Sequence, residues 1–382
     1  MNILFTTDSY SPQINGIVFH VLNLKKELEK RGHKVYVVIP KIKGKNNNGK
    51  EIFSLPAIPF MPRAKDMLTF PFSPSIEKKI SKINFDIVHN HTFLTGYFGL
   101  SIAKKQQIPS LVTFHTLMRH YVDWILPWAK TITHPVANMV ARDYFGEHNL
   151  VIAPSKKAEK ELQKAHVKTP IKLLNNGITT DLFKNADTDL FINKFFIDTK
   201  RPLVTISGVL EKGKNVDLAL KGIDIARKTI PNIQLAIIGD GKERKKIENM
   251  IIKLGLQRNA FITGFLSQKL IASANKASDL ILFTSDTDTF PTVIVEALFS
   301  GKPIVAVKDM AIEQLVHHEV NGIIVPKNPL AIGKAITALL SDKKKQQVFS
   351  RESLKMSNKF SLKNYVDEIE KIYLDLINKN HS

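Results

Sequence analysis

The chain has 382 residues, 43% of them hydrophobic and 24% charged, with a mean hydropathy of −0.08; it is long for one core and has the balance of two soluble globular domains. It contains no cysteine, which excludes disulfides, thiolate metal sites and cysteine nucleophiles. Its 55 Lys and Arg against 35 Asp and Glu give a net charge of +20, so the candidate partners are anionic: phosphorylated substrates, acidic lipid or nucleic acid.

The opening M-N-I-L-F reads as a β-strand and not as a signal peptide, because no basic stretch precedes it and polar residues interrupt it after five positions. A turn-rich loop over 9–16 ends on Gly16, where backbone can approach a ligand closely. Val18, Val21, Leu24 and Leu28 then recur at helical spacing, Gly32 stops the helix, and V-Y-V-V-I at 35–39 is a second strand. This is one βαβ unit. Residues 41–50 form a basic, Asn- and Gly-rich loop. Pro56, Pro59, Pro62, Pro71 and Pro74 then lie among Phe53, Phe60, Phe70 and Phe72. That density forbids a regular helix and predicts an irregular segment, packed on its own domain or exposed as an apolar lip. Strands are expected at 86–89 and 110–114, with a small-residue helix over 96–105 between them and His115 directly after the second. A Trp-bearing loop follows at 121–128, and another strand at 149–153. No apolar run approaches the ~18 residues needed to span a bilayer.

A second cycle begins near Pro202. Strands are expected at 203–207, 233–238, 261–265, 280–283 and 303–307. The first runs into a basic turn over 209–215 and the second into the tight turn Gly239-Asp240-Gly241. Residues 354–378 carry helical periodicity and are expected to pack back on the first domain. The predicted architecture is α/β, two Rossmann-like domains facing across a cleft: 1–170, joined by a C-terminal helix over 360–382, and 171–359.

The stretch 285–303, S-D-T-D-T-F-P-T-V-I-V-E-A-L-F-S-G-K-P, follows the buried strand at 280–283 and enters a helix. It places Asp288 in the loop at the strand's carboxyl end and Glu296 within the helix, eight positions on. Ligands of open α/β sheets bind outside the carboxyl ends of strands, where free N–H groups favour anions and acids accept hydrogen bonds from ligand hydroxyls. The plainer alternative makes Asp288 a helix cap and Glu296 an ordinary first-turn acid. Basic clusters at Lys25, Lys26, Lys30, Arg31 and Lys34, and at Lys156, Lys157, Lys160, Lys164 and Lys168, fall on solvated helix faces. With no RNA-binding signature, zinc spacing or aromatic-basic platform, nucleic acid is disfavoured. An electrostatic hold on an acidic membrane stays open.

Together these pieces resemble the retaining nucleotide-sugar glycosyltransferases of the GT-B fold that carry an E-x7-E pattern. The motifs are the first strand and loop to Gly16, F-D-I-V-H at 85–89, T-F-H-T at 113–116, A-P-S at 153–155, N-N-G-I at 175–178, G-D-G at 239–241 and the 285–303 stretch. The likeness covers nearly the whole chain. It implies that Glu296 holds the ribose hydroxyls of the nucleotide, that Asp288, in place of the family's first Glu, holds donor-sugar hydroxyls, and that Lys214 neutralises the diphosphate leaving group. Gly16 matches the glycine close to that diphosphate, and His115 a histidine near the reacting carbon. Gly239, Phe290 and Thr292 fall among the implied donor-binding positions, and no metal or other cofactor is implied. The departures are Val209 where the family carries a phosphate-clamping Arg, for which Lys212 in the same turn is the substitute, Asp288 itself, and Pro291 where many members have Gly. L-P-A-I-P-F-M-P-R at 55–63, H-N-H-T-F-L-T-G-Y-F-G at 89–99 and Tyr121 after T-F-H-T are similar to enzymes that glucosylate diacylglycerol. This implies UDP-glucose as donor, a lipid acceptor, and a cytoplasmic protein held peripherally on the inner face of an anionic membrane. A lipopolysaccharide-core or polysaccharide acceptor, and a catalytically weak nucleotide-sugar-binding homologue, remain alternatives.

Overall fold

Runs such as Ile3-Leu4-Phe5 and Leu280-Ile281-Leu282 are buried completely, and residues apolar on both sides of a strand require cover on both faces of the sheet. That condition selects parallel sheets with crossover helices. The computed structural model describes residues 1–11, 13, 15–42, 49, 51–60, 63–115 and 130–381, and it contains two compact units, 1–177 with 362–382, and 178–361.

The first unit holds β1 (Asn2–Thr6), β2 (Lys34–Pro40), β3 (Ile52–Leu55), the pair β4 (Ala57–Phe60) and β5 (Arg63–Thr69), β6 (Ile87–Asn90), β7 (Ser110–Thr113), β8 (Leu150–Ala153) and β9 (Ile171–Leu173). Seven of these form one parallel sheet in the order β3-β2-β1-β6-β7-β8-β9. The second unit holds β10 (Leu203–Ser207), β11 (Gln234–Ile238), β12 (Ala260–Gly264), β13 (Leu280–Phe283), β14 (Ile304–Val307) and β15 (Gly322–Val325), all parallel, in the order β12-β11-β10-β13-β14-β15. Both orders run outward from a central strand and then reverse. The reversal falls between β1 and β6 in one unit and between β10 and β13 in the other, and it opens a crevice at the carboxyl ends of those strands.

Three expectations are corrected. The Pro-rich stretch is not irregular: it supplies β3, the antiparallel β4–β5 hairpin and the helix Pro74–Ile80. Pro56 falls between strands, Pro59 lies in a two-stranded ribbon where one edge needs no N–H donor, and Pro74 occupies the first helical turn, where its missing N–H costs nothing. The hairpin and the segment after it leave Ile58, Leu68, Phe70 and Phe72 exposed, Phe72 by 71%. Met61, Pro62 and the Trp-bearing loop at 121–128 lie outside the described residues.

The periodic tail is two helices and not one, Lys343–Ser357 and Leu362–His381, separated by a 3-10 turn at Asn358–Phe360 whose Phe360 is buried in the second unit. The last helix belongs to the first unit. Arg31 pairs with Asp367 at 2.7 Å and also with Glu370, His33 meets Glu370 at 2.7 Å, and Tyr373 bonds His89 at 2.7 Å. The expected boundary at 170 moves to 177, because Ile171–Leu173 continues the first sheet through Val151, Ile152 and Ala153.

Candidate donor and acceptor sites

In the second unit, the chain leaving β10 crosses the sheet edge as a turn over 208–215 and is fastened to the loop that leaves β13. Thr284 Oγ1 donates to the Lys214 carbonyl at 2.8 Å, Asn215 Nδ2 to the Thr284 carbonyl at 3.0 Å, and Ser285 Oγ to the Gly213 carbonyl at 3.3 Å. Gly213 is required here, since a Cβ would lie 2.3 Å from Thr287 Cγ2. These bonds hold the Lys214 and Asp288 side chains together, with Nζ 2.6 Å from Asp288 Oδ1 and both half-buried. A small pocket lined by Gly208, Val209, Lys214, Thr284 and Ser285 marks the crevice between the two loops.

The helix Thr292–Phe299 starts at Pro291 with no side-chain cap. Its first amides are therefore open to an anionic group. Asp288 is thus not a cap, and Glu296 is not a first-turn acid, so the plainer sequence reading fails on both counts. Desolvation pushes the Glu296 carboxyl up to about 8, with no other cause acting. Among the described residues no side chain or amide hydrogen-bonds or ion-pairs with it. The residue is half-buried, and hydroxyl donors of a ligand would satisfy its carboxyl.

Phe290 is 7% exposed and its ring sits in the core with Ile294 and Phe360, which leaves only its backbone to face a donor. Thr292 is the first helical residue and half-buried, and Lys212 is exposed. Gly239, at φ +142°, lets three backbone segments meet, because a Cβ there would lie 1.9 Å from the Gly208 carbonyl oxygen. Gly239→Ala is expected to cost about 3 kcal/mol of stability through overpacking and backbone strain. A denaturant titration showing an unchanged midpoint would contradict that close approach.

Gly16 and His115 belong to the first unit. Gly16 opens the helix Gly16–Lys30, capped by Asn15, whose side chain accepts from the Val18 amide at 3.0 Å. One turn on, His20 faces His115 with ring centroids 4.8 Å apart. His91, just past β6, places Nδ1 3.2 Å from His115 Nε2 with the rings stacked. Burial, with neighbouring histidines adding to it, holds His91 and His115 well below the usual histidine range, and burial alone brings His20 down to about 3. The three rings are therefore neutral at physiological pH. Their ligand atoms lie within 4.8 Å of one another, a grouping able to hold a metal ion and unforeseen in the sequence, where 71 and 24 residues separate its members. The short His91–His115 contact already uses one nitrogen of each ring, which favours a hydrogen-bonded relay that orients His115. Asp8 was also missed: its carboxylate accepts from the Leu94 and Thr95 amides at 2.9 and 3.0 Å and caps the helix Leu94–Gln106.

Two Rossmann-like halves, each with a polar crevice at its strand reversal, are the frame of a GT-B glycosyltransferase. The family models agree: residues 187–356 match the glycosyl transferases group 1 and residues 14–182 match glycosyltransferase family 4. The chain belongs to the group 1 glycosyltransferases of the GT-B fold. It is 28% identical over 399 aligned positions to the alpha-monoglucosyldiacylglycerol synthase of Acholeplasma laidlawii, covering 100% of this chain and 98% of that one. It is 25% identical to the enzyme of the same name from Streptococcus pneumoniae, covering 100% and 87%. Sucrose-phosphate synthase of Thermosynechococcus elongatus superposes with a TM-score of 0.84 at 20% identity, over 99% of each chain.

Proposed function

We propose that the protein is a retaining glucosyltransferase that takes glucose from UDP-glucose and attaches it to the hydroxyl of a membrane lipid such as diacylglycerol. The observation that carries the donor half is the unpartnered carboxyl of Glu296, within a helix whose uncapped N-terminus follows the Lys214–Asp288 pair. Glu296 accepts from the ribose hydroxyls, Lys214 binds the diphosphate, and the open amides at Thr292 and Val293 face donor oxygens. Asp288, released from Lys214, accepts from sugar hydroxyls, and Lys212 stands where Val209 leaves a phosphate uncovered.

The acceptor oxygen bonds to the anomeric carbon on the face that the diphosphate leaves. The bond from that carbon to the phosphate oxygen breaks with its electron pair moving to phosphate, and the hydroxyl proton goes to the departing phosphate oxygen. No enzyme nucleophile is needed. Stabilising the departing charge is the main catalytic contribution, and Lys214 supplies it. His115, as a neutral ring, is a hydrogen-bond partner for the sugar and not an acid.

The lipid acceptor is supported by the names of the two synthases and by the exposed Ile58, Leu68, Phe70 and Phe72. The net charge of +20 supports a peripheral hold on the anionic inner face of a membrane, worth about 1 kcal/mol per basic residue at the surface. Among the described residues no helix is long and apolar enough to cross a bilayer.

Labelled UDP-glucose, UDP-galactose and GDP-mannose, each incubated with extracted lipids or with polysaccharide and lipopolysaccharide acceptors, test this by product mass. The expected product is a monohexosyl diacylglycerol from UDP-glucose, formed equally well with a metal chelator present. Label in glycan alone would move the acceptor to a polysaccharide. UDP binding without transfer to any acceptor would identify a non-catalytic homologue.

A further inference from the structure

The second unit has a second polar recess, on the opposite edge of its sheet from Lys214 and Asp288. Asp279 stands immediately before β13 and Lys302 two residues before β14, so the recess lies at the amino ends of the strands whose carboxyl ends carry the donor site. Lys343, Gln347, Ser350 and Arg351, from the helix Lys343–Ser357, line it with them, and the cavity measures about 510 Å³.

Three cations and one acid face this space, and the acid is already engaged. Asp279 Oδ2 accepts from the Leu203 amide at 2.8 Å and Oδ1 lies 3.5 Å from Lys343 Nζ. Lys343 also donates to Gln346 Oε1 at 3.3 Å. Among the described residues Lys302 and Arg351 have no acidic partner, and the one bond of the Arg351 side chain is a 3.4 Å contact from Nε to the Gln347 carbonyl. Lys302 is the unusual member. Its backbone is pinned, with its amide donating to the Ala297 carbonyl at 3.0 Å and its carbonyl accepting from Ser353 Oγ at 2.9 Å. Burial, with Lys276 nearby, brings its ammonium down to about 8. Asp279 acts on it in the opposite direction, but it is paired with Lys343 and not with Lys302, so a closer anion would offset the desolvation of this ammonium.

We propose that this recess binds a phosphate group carried on a small organic body, with Lys302 and the Arg351 guanidinium as its principal ligands. A guanidinium fork and an ammonium point charge together match a phosphate monoester or diester, and Ser350 and Gln347 add neutral donors. Lys343, Gln347 and Arg351 are exposed, so the recess is open to solvent and a glycerol or sugar body can extend from a phosphate held in it. The donor reading is not needed for this site, since no donor-site residue lines the recess.

Lys302→Met and Arg351→Met, prepared in the full chain, test it by calorimetry with inorganic phosphate and glycerol 3-phosphate, and by sedimentation with phosphatidylglycerol or phosphatidylcholine vesicles. UDP affinity serves as the control for folding. The wild type is expected to bind at least one phosphate-bearing probe, and each substitution to weaken that binding about tenfold or more while UDP affinity stays within about twofold. Binding of the soluble phosphates identifies a phosphorylated metabolite as the source. Binding of phosphatidylglycerol vesicles alone, lost in both variants, identifies a lipid headgroup. No binding of any probe, or equal binding by wild type and variants, overturns the proposal. A second readout uses acylation of Lys302 by an amine-reactive ester at pH 8, followed by mass spectrometry. Protection by the bound probe is expected, and its absence contradicts the site.

Discussion

Lys214→Ala is expected to lower turnover at saturating donor by about 10²–10³-fold, with a smaller change in KM. The charge on the diphosphate grows as the glycosidic bond breaks, so a cation placed against it stabilises the transition state more than the bound donor. The backbone of the turn does not depend on this side chain: Thr284 Oγ1 holds the Lys214 carbonyl and Asn215 holds the Thr284 carbonyl. The variant should therefore fold. It also leaves Asp288 without the ammonium now 2.6 Å away, and that carboxylate then repels the diphosphate. Adding Asp288→Asn to Lys214→Ala should recover part of the donor affinity, a non-additive result expected of two groups in contact. Full turnover in Lys214→Ala would remove Lys214 from the catalytic step.

Glu296→Gln is expected to weaken UDP binding by about 10–100-fold above pH 8, the difference between charged and neutral acceptance of ribose hydroxyls, and to remove the pH dependence of that binding. In the wild type the carboxyl is pushed up to about 8 by burial, so the ligand-free site holds a proton at neutral pH. Two hydroxyl donors favour the carboxylate, and binding then releases that proton. UDP affinity should rise as pH increases toward about 8 and level off above it.

Stability moves the other way. The folded carboxyl holds its proton more tightly than the unfolded one, so its contribution is complete below about 4.5 and is lost as pH rises through about 8. Glu296→Gln should therefore melt higher than wild type at pH 8 and near it at pH 4. Equal pH profiles of UDP binding in the two proteins would exclude Glu296 as the ribose ligand.

The alternation of strands and helices was legible because each central strand is a short apolar run closed by a polar turn, as at 280–288. β9 and β15 were not foreseen: both are edge strands, β9 is three residues with a lysine at its centre, and β15 opens on Gly322, so neither reads as a continuous buried apolar run. The prolines at 56 and 59 argued correctly against a helix but not against strand, since an edge strand tolerates a missing donor, and Pro74 begins a helix, where its missing N–H costs nothing. The helical period of the tail hid its break, which Phe360 makes by entering the core of the second unit while Tyr365 and Tyr373 enter that of the first. In the candidate site, motif order reached Glu296, Lys214 and Asp288 singly. The Lys214–Asp288 contact spans 74 residues, and the grouping of His20 and His91 around His115 depends on a helix and two separate strand ends coming together, so no local spacing announces either. Phe290 was placed among donor contacts by its position in the motif, whereas packing commits its ring to the core.

The most direct test of the donor site is a crystal structure of the protein with UDP bound. The ribose hydroxyls are expected on the Glu296 carboxylate, and the diphosphate is expected at the start of the helix Thr292–Phe299 with Lys214 Nζ moved from Asp288 onto a phosphate oxygen. UDP seated elsewhere, or bound here with the Lys214–Asp288 pair intact and Glu296 still without a partner, would contradict the site.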